Sequence, residues 1–328
     1  MSAVEVLTMG RIGVDLYPEQ IGVRLAEVQT FRKMLGGSAT NVAVAAARYG
    51  RCSAVITKVG DDPFGPYVRE ALEGFGVESS RVGTHPTLRT PVVFCEIFPP
   101  DHFPLLFYRE PMAPDMTVEP GELDLAEIAA VPLFWTTGTG LSAEPSRSAT
   151  LAALEARGRR AITVHDLDYR PGFWGSEGEA GRWGRRAVEL ATVAVGGRTE
   201  AMPIVGDRPA ADTANALLDL GVELAIVKLG PEGVLAATQD EQVTLPPVPV
   251  TVLNGLGAGD AFGGAICHGL LSGWELERTL RFANAAGALV ASRLGCADDM
   301  PTADEVEALL ASVSAPVAVP GTKVPGTG

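Results

Sequence analysis

Several familiar protein classes are excluded by what this chain lacks. Only four of its 328 residues are cysteine, and Cys52, Cys95, Cys267 and Cys296 stand far apart in apolar contexts with no CxxC pair. A disulfide framework is therefore not expected, and the usage fits a reducing cytoplasm. Bases are scarce: 26 Lys and Arg face 40 Asp and Glu, for a formal charge of −14. A nucleic-acid binder carries a basic face, so no nucleic-acid partner is expected. Long apolar runs are missing too. The uncharged stretch Gln242–Gly259 is broken by Pro, Asn and Gly, and a bilayer span needs about 20 apolar residues. The start, Met1-Ser2-Ala3-Val4-Glu5, has no basic region leading into an apolar core, so no targeting segment and no membrane partner are expected. Gly-Lys-Ser/Thr, HExxH and GxSxG do not occur, which removes the Walker A loop, the zinc-protease helix and the nucleophile elbow. A dinucleotide fingerprint begun at Gly255 and Gly257 needs glycine at 260, where Asp260 stands.

What is present is globular in composition: 46% hydrophobic and 20% charged residues, with 6% aromatics. Short apolar segments at 4–9, 54–59, 133–137, 161–165, 192–195 and 224–228 predict strands, and helical patterns follow most of them. One begins after Gly36-Gly37, with Ser38 or Thr40 as its cap. The last three helices are expected at about 258–271, 275–293 and 303–312, the final one opened by a capping box, Thr302-Ala303-Asp304-Glu305. This alternation predicts an α/β fold: a mostly parallel sheet with helices on both faces. Two patches without helices, at about 13–35 and 88–110, are expected to pair as a small separate sheet. Residues 1–312 then form one domain, and the Pro/Gly-rich residues 313–328 a flexible tail.

Two glycine-rich segments at helix starts carry the chemistry. Asn254-Gly255-Leu256-Gly257-Ala258-Gly259-Asp260 follows a strand and opens a helix. Its glycines allow close approach of a ligand, and free amides at a helix N-terminus attract an anion. A carboxylate beside such amides suits proton abstraction from a hydroxyl as a phosphoryl group arrives; an Asp favoured by the helix dipole in an ordinary glycine turn is the plainer alternative. Gly36-Gly37-Ser38-Ala39-Thr40-Asn41 is similar, with Asn41 able both to donate and to accept, or else a simple cap and turn.

Together these segments resemble the two signatures of the ribokinase-like (PfkB-type) sugar kinases, and the resemblance spans residues 4 to about 312. It implies a ribokinase-like fold in which the helix-free patches form a β lid over the sugar. It implies that Asp15, Gly37 and Asn41 bind sugar, that Gly257, Ala258 and Gly259 form an anion hole, and that Asp260 is the catalytic base. Lys228, Gly230 and Gly233 match the nucleotide-side strand and turn, and Asn284 lies on the helix flanking the adenine. ATP and Mg²⁺ follow as cofactors, with Glu200 on the metal side.

The segments Phe103–Arg109 with Ala113-Pro114-Asp115, and Asp166-Leu167-Asp168-Tyr169-Arg170-Pro171 with Trp174, resemble the branch that phosphorylates sugar acids. A carboxylated substrate of an acidic protein calls for a guanidinium. Arg109 is the candidate, or else a surface Arg paired with Glu110 or another acid. Arg170 is expected at phosphate or substrate. Two positions depart from the family pattern: Asn254 replaces an Asp, and the metal-linked Asn-x-x-Glu reads Gly197-Arg198-Thr199-Glu200. His165 is expected to be a hydrogen-bonded structural residue. Asp298 and Asp299 suit either a monovalent-cation loop or a solvated turn, and sheet edges in the lid suit a homodimer. Two other classes fit the pattern of elements: a non-catalytic sugar-acid sensor and a nicotinamide oxidoreductase. The first is disfavoured by Asp260 with its intact glycines, the second by the missing fingerprint.

Overall fold

The computed structural model describes residues 3–314. The first part of the chain runs β1 (Val6–Met9), β2 (Gly13–Pro18), β3 (Phe31–Gly36), α1 (Ser38–Arg48), β4 (Ser53–Gly60), α2 (Phe64–Gly74), β5 (Val77–Glu78), β6 (Val82–His85), β7 (Val92–Cys95) and β8 (Leu105–Tyr108). The middle continues α3 (Leu125–Ala130), β9 (Leu133–Thr137), α4 (Ser146–Arg157), β10 (Ile162–Asp166), α5 (Glu177–Leu190), β11 (Val193–Gly197), α6 (Arg198–Val205), α7 (Ala210–Leu218) and β12 (Leu224–Lys228). It closes with β13 (Val234–Ala237), β14 (Gln242–Leu245), α8 (Ala258–Leu271), α9 (Leu276–Ala291) and α10 (Ala303–Ser314).

Among the described residues the strands form two sheets. The larger runs β14-β13-β12-β11-β10-β9-β1-β4-β5, with β6 also on β4. Its pairings are parallel from β12 through to β5 and antiparallel only at β12–β13 and β13–β14. Strands covered by helices on both faces read as continuous apolar runs, and β1 and β9 are buried at every position. The smaller sheet, β3-β2-β7-β8, is built from the two helix-free patches and is the expected lid.

Two helices set the geometry of the site. Along α1, Ala43, Ala45 and Ala46 are fully buried, and Gly264 of α8 faces Ala45 so closely that a side chain there would overlap it. Small residues let the two backbones approach. Asn41 and Asp260 lie one turn before this contact on their respective helices, so their side chains meet.

Two local expectations change. Neither Ser38 nor Thr40 caps α1. The N-cap is Gly37, with φ 106°; the Ser38 hydroxyl donates to Asp260 and that of Thr40 to the Arg11 carbonyl. Only glycine fits position 37, because any Cβ would collide with the Arg11 backbone. The last helix extends to Ser314, past the expected start of the tail at 313; the rest of that tail, 315–328, lies outside the described residues. The capping box is formed: Glu305 accepts from Thr302 N at 2.8 Å, and Thr302 Oγ1 accepts from Glu305 N at 3.3 Å. No described helix is long and apolar enough to cross a membrane.

Candidate active site

A cavity lies between the lid and the C-terminal ends of the central strands. Asp15 and Tyr17 of β2, Phe107 of β8 and Arg109 just after it form its lid side; Arg11, Asn41, Arg170, Gly257 and Asp260 form its core side. Ligands of open α/β folds bind at this end of the strands, where loops and helix N-termini converge.

Asp260 stands in the first turn of α8. Its Oδ2 accepts from Asn41 Nδ2 at 2.7 Å and its Oδ1 from Ser38 Oγ at 3.1 Å. Burial raises its pKa above the usual carboxylate range, against the opposing bond from Asn41. The amides of Gly259 and Asp260 have no acceptor among the described residues, as expected for a helix start. The turn before them is held by Asn254, whose Nδ2 donates to Leu294 O at 2.6 Å while its Oδ1 accepts from Leu256 N at 3.1 Å. An ionised Asp at 254 has no proton to give Leu294, which accounts for the amide there.

Asp15 faces the same cavity from β2. Tyr17 donates to its Oδ2 at 3.3 Å, and burial pushes its carboxyl up to about 7 even with Arg11 opposing. Asn41 Oδ1 is buried with no partner among the described residues.

Arg109 lines the cavity, but its guanidinium is engaged. Nη1 donates to Asp115 Oδ2 at 3.1 Å and Nη2 to Oδ1 at 2.5 Å, and the Asp115 side chain is wholly buried. The acid that pairs with it is thus Asp115 and not the adjacent Glu110. Arg170 Nε donates to Asp168 Oδ1 at 3.0 Å. Arg11, which sequence reasoning did not single out, donates to the other oxygen of Asp168 at 3.1 Å. An arginine in a loop after a first strand gives no signal of its own.

A second hollow opens beside Gly259. Gly197, Glu200, Lys228 and Gly230 line it. Lys228 Nζ is 3.5 Å from Glu200 Oε2 and 3.9 Å from Asp166 Oδ1, close enough to Gly259 that a Cβ there would touch it. Burial alone lowers an ammonium pKa, but Asp166 and Glu200 outweigh it and raise that of Lys228. Glu200 Oε2 also accepts from Gly197 N at 2.5 Å, closing the first turn of α6.

Two nucleotide-side expectations lie apart from this hollow. Gly233 is a turn glycine with φ 100° whose backbone packs on Leu245 and Pro246. Asn284 ties α9 to Pro246 O at 3.1 Å. His165 is buried, its Nδ1 is 3.0 Å from Thr136 Oγ1, and burial lowers its pKa to about 4, so it is neutral. Asp298 and Asp299 accept from the backbone amides of Leu35 and Gly295. Among the described residues no group of three His, Cys, Asp or Glu side chains forms a ready metal cage. Mg²⁺ keeps several waters and takes one or two carboxylates together with substrate phosphates; Glu200 and Asp166, both near Lys228 Nζ, are the carboxylates beside the second hollow.

The family model for pfkB family carbohydrate kinases matches residues 4–303. A 5-dehydro-2-deoxygluconokinase of Clostridium beijerinckii is 32% identical over 311 residues, covering 92% of this chain and 91% of the relative. Among solved structures, Ribokinase II of E. coli in complex with ATP and Mg²⁺ aligns with a TM-score of 0.85 at 22% identity, over 94% of this chain and 99% of that one. A fructokinase of Vibrio cholerae with fructose, ADP and potassium bound aligns with a TM-score of 0.80 at 27% identity, over 94% and 99%.

Proposed function

Because the chain belongs to the pfkB family of carbohydrate kinases, and is thus a sugar kinase, we propose that it phosphorylates a keto-deoxy sugar acid. The substrate is 5-dehydro-2-deoxy-D-gluconate, converted by ATP to its 6-phosphate in the breakdown of myo-inositol. The name of the C. beijerinckii relative supports this substrate. One observation carries the reading: Asp260 sits at the free amides of α8, oriented by Asn41 and Ser38, in a cavity that also holds three guanidinium groups.

In this reading the C6 hydroxyl lies against Asp260, which takes its proton as the oxygen attacks the γ-phosphorus. The amides of Gly257, Ala258, Gly259 and Asp260 stabilise the charge on the transferring group, and Lys228 adds a cation on the same side. Asp15, Gly37 and Asn41 hold the sugar hydroxyls, the orphan Oδ1 of Asn41 serving as an acceptor. Arg170 stands at the carboxylate end, while Arg109, its terminal nitrogens taken by Asp115, lines the lid side. ATP occupies the hollow lined by Lys228 and Gly230; Gly233 and Asn284 stand outside it, both holding the chain at Pro246 after β14. Glu200, with Asp166 behind Lys228, would hold Mg²⁺, which would supply neutralisation of the phosphate charge. The lid sheet excludes water from the reaction.

Three finer points belong to the same proposal. The turn carrying Asp298 and Asp299 takes a monovalent cation, tested by exchanging potassium for tetramethylammonium. The lid mediates a homodimer, supported by Leu106 and Tyr108, 46% and 61% exposed on edge strand β8 and tested by light scattering. A cytoplasmic location fits four cysteines that are all free.

The deciding experiment is a coupled ATP assay over a panel containing 5-dehydro-2-deoxygluconate, 2-dehydro-3-deoxygluconate, gluconate, fructose and ribose. The expected result is a kcat/KM for the first that exceeds the neutral sugars by at least about tenfold, the scale of one charged hydrogen bond. Preference for fructose or ribose removes the sugar-acid reading, and preference for 2-dehydro-3-deoxygluconate changes the acid.

A further inference from the structure

On the core side of the cavity two arginines, Arg11 and Arg170, meet at Asp168. Arg11 is 7% exposed. Its Nε donates to Thr139 Oγ1 at 3.0 Å and its Nη2 to Asp168 Oδ2 at 3.1 Å. Arg170 Nε takes the other oxygen of Asp168 at 3.0 Å, and Thr139 Oγ1 adds a further bond to Oδ2 at 2.9 Å. Two guanidinium groups therefore share one carboxylate. Arg109, by contrast, forms a neutral two-pronged pair with Asp115.

One nitrogen of Arg11 is left over. No described group accepts from Nη1, and that atom is not among the buried polar atoms that lack a partner, so it opens onto the cavity that Arg11 lines. The rings of Phe107 and Phe173 lie 6.0 and 5.7 Å from the guanidinium carbon and pack edge to face on each other at 5.0 Å. They strip water from the flanks of the cation. A poorly hydrated cation with a free donor and a counter-charge shared with a second arginine is costly in an empty site and favourable once an anion arrives.

We propose that Arg11 is the specificity-determining contact for the substrate's carboxylate, with its free Nη1 and the free terminal nitrogens of Arg170 forming one anion cradle. Arg109 serves as a wall of the lid. The inference rests on the sugar-acid reading above and deepens it: Phe107 comes from lid strand β8, so the cradle is complete only with the lid in place, and a neutral sugar leaves the free Nη1 without an anionic acceptor.

The test compares wild type, Arg11→Met and Arg109→Met on 5-dehydro-2-deoxygluconate and on its uncharged C1 amide, with melting curves and calorimetric ATP binding as checks of folding. For Arg11→Met the KM for the acid is expected to rise roughly 10- to 100-fold, the size of a charge-assisted hydrogen bond, while that for the amide moves by less than about threefold. Arg109→Met is expected to change acid and amide alike. Equal losses on acid and amide in Arg11→Met, or an unchanged KM for the acid, overturn the inference. If Arg11→Met does not fold, Arg11→Lys keeps a cation on Asp168 and loses the fork; it is expected to weaken the acid alone, and parallel losses again overturn the proposal. Failure of the parent reading looks different: the wild type itself then prefers neutral sugars to the acid, and the inference falls with it.

Discussion

Asn41 Nδ2 donates to Asp260 Oδ2 at 2.7 Å, joining the first turns of two helices that lie 219 residues apart in the chain. The bond orients the carboxylate and favours its charged form, while burial favours the neutral one. One contact between the two glycine-rich segments thus acts on both the orientation and the basicity of Asp260.

Asp260→Asn keeps the shape and removes the proton acceptor. The expected loss in kcat is roughly 10²–10⁴, with ATP affinity little changed. Retention of most of the turnover would falsify the assignment of the base.

The acid limb of the pH–rate profile follows from the same contact. Asp260 must be ionised to accept a proton, and its pKa is raised, so kcat/KM is expected to fall as pH drops through a value above the ordinary Asp range. Asn41→Leu deletes the donor that favours the ionised form, and the limb is expected to move to higher pH. A limb that stays in place shows that this bond does not tune the base.

Arg109→Ala leaves the Asp115 carboxylate buried without its partner. Breaking a buried pair from one side costs about 3–5 kcal/mol, so a clear drop in the midpoint of denaturant unfolding is expected. Unfolding at the wild-type midpoint marks the pair as dispensable.

Glu200→Ala removes a carboxylate beside Lys228 and is expected to raise the Mg²⁺ concentration for half-maximal rate by roughly 10–100-fold, the range typical of groups behind a metal's direct ligands. Gly197→Asn is expected to lower it. The backbone at 197, φ −81° and ψ 165°, accepts any residue, and a Cβ there meets only ordinary contacts, 3.4 Å to Glu200 Oε2. Unchanged Mg²⁺ dependence in both variants removes this segment from the metal side.

Asp15 supplies a pH-dependent stability. Its carboxyl titrates at about 7 in the fold and near 3.9 unfolded. Between those values the folded state keeps a proton that the unfolded chain has lost, so stability falls as pH rises and levels off above about 7. The three-unit gap sets an upper bound of about 4 kcal/mol, since one unit is 1.36 kcal/mol. Asp15→Asn is expected to gain stability over the wild type at pH 8 and to match it at pH 4, read from urea unfolding without ligands. An equal difference at both pH values rules out the titration.

Much of the fold was legible because its signals are local. Apolar runs between glycines and caps marked the parallel strands, Thr302 and Glu305 announced the last helix, and the absence of helical periodicity set the lid segments apart. The two glycine-rich helix starts were equally plain, since free amides and close approach need particular residues in sequence. What pairs across the chain was not. That Ser38 turns from capping α1 to hold Asp260, that Asp115 occupies Arg109, and that Arg11 and Arg170 share Asp168 depend on side chains far apart in sequence meeting at short distance. A lone arginine after a first strand reads the same whether it faces water or a cavity, because charge, burial and partner are properties of the packed structure. Residue types and spacing determined where the two glycine-rich segments begin; the close packing of Ala45 on Gly264 decided how they face each other, and the distribution of carboxylates among three arginines decided which guanidinium groups keep a terminal nitrogen free.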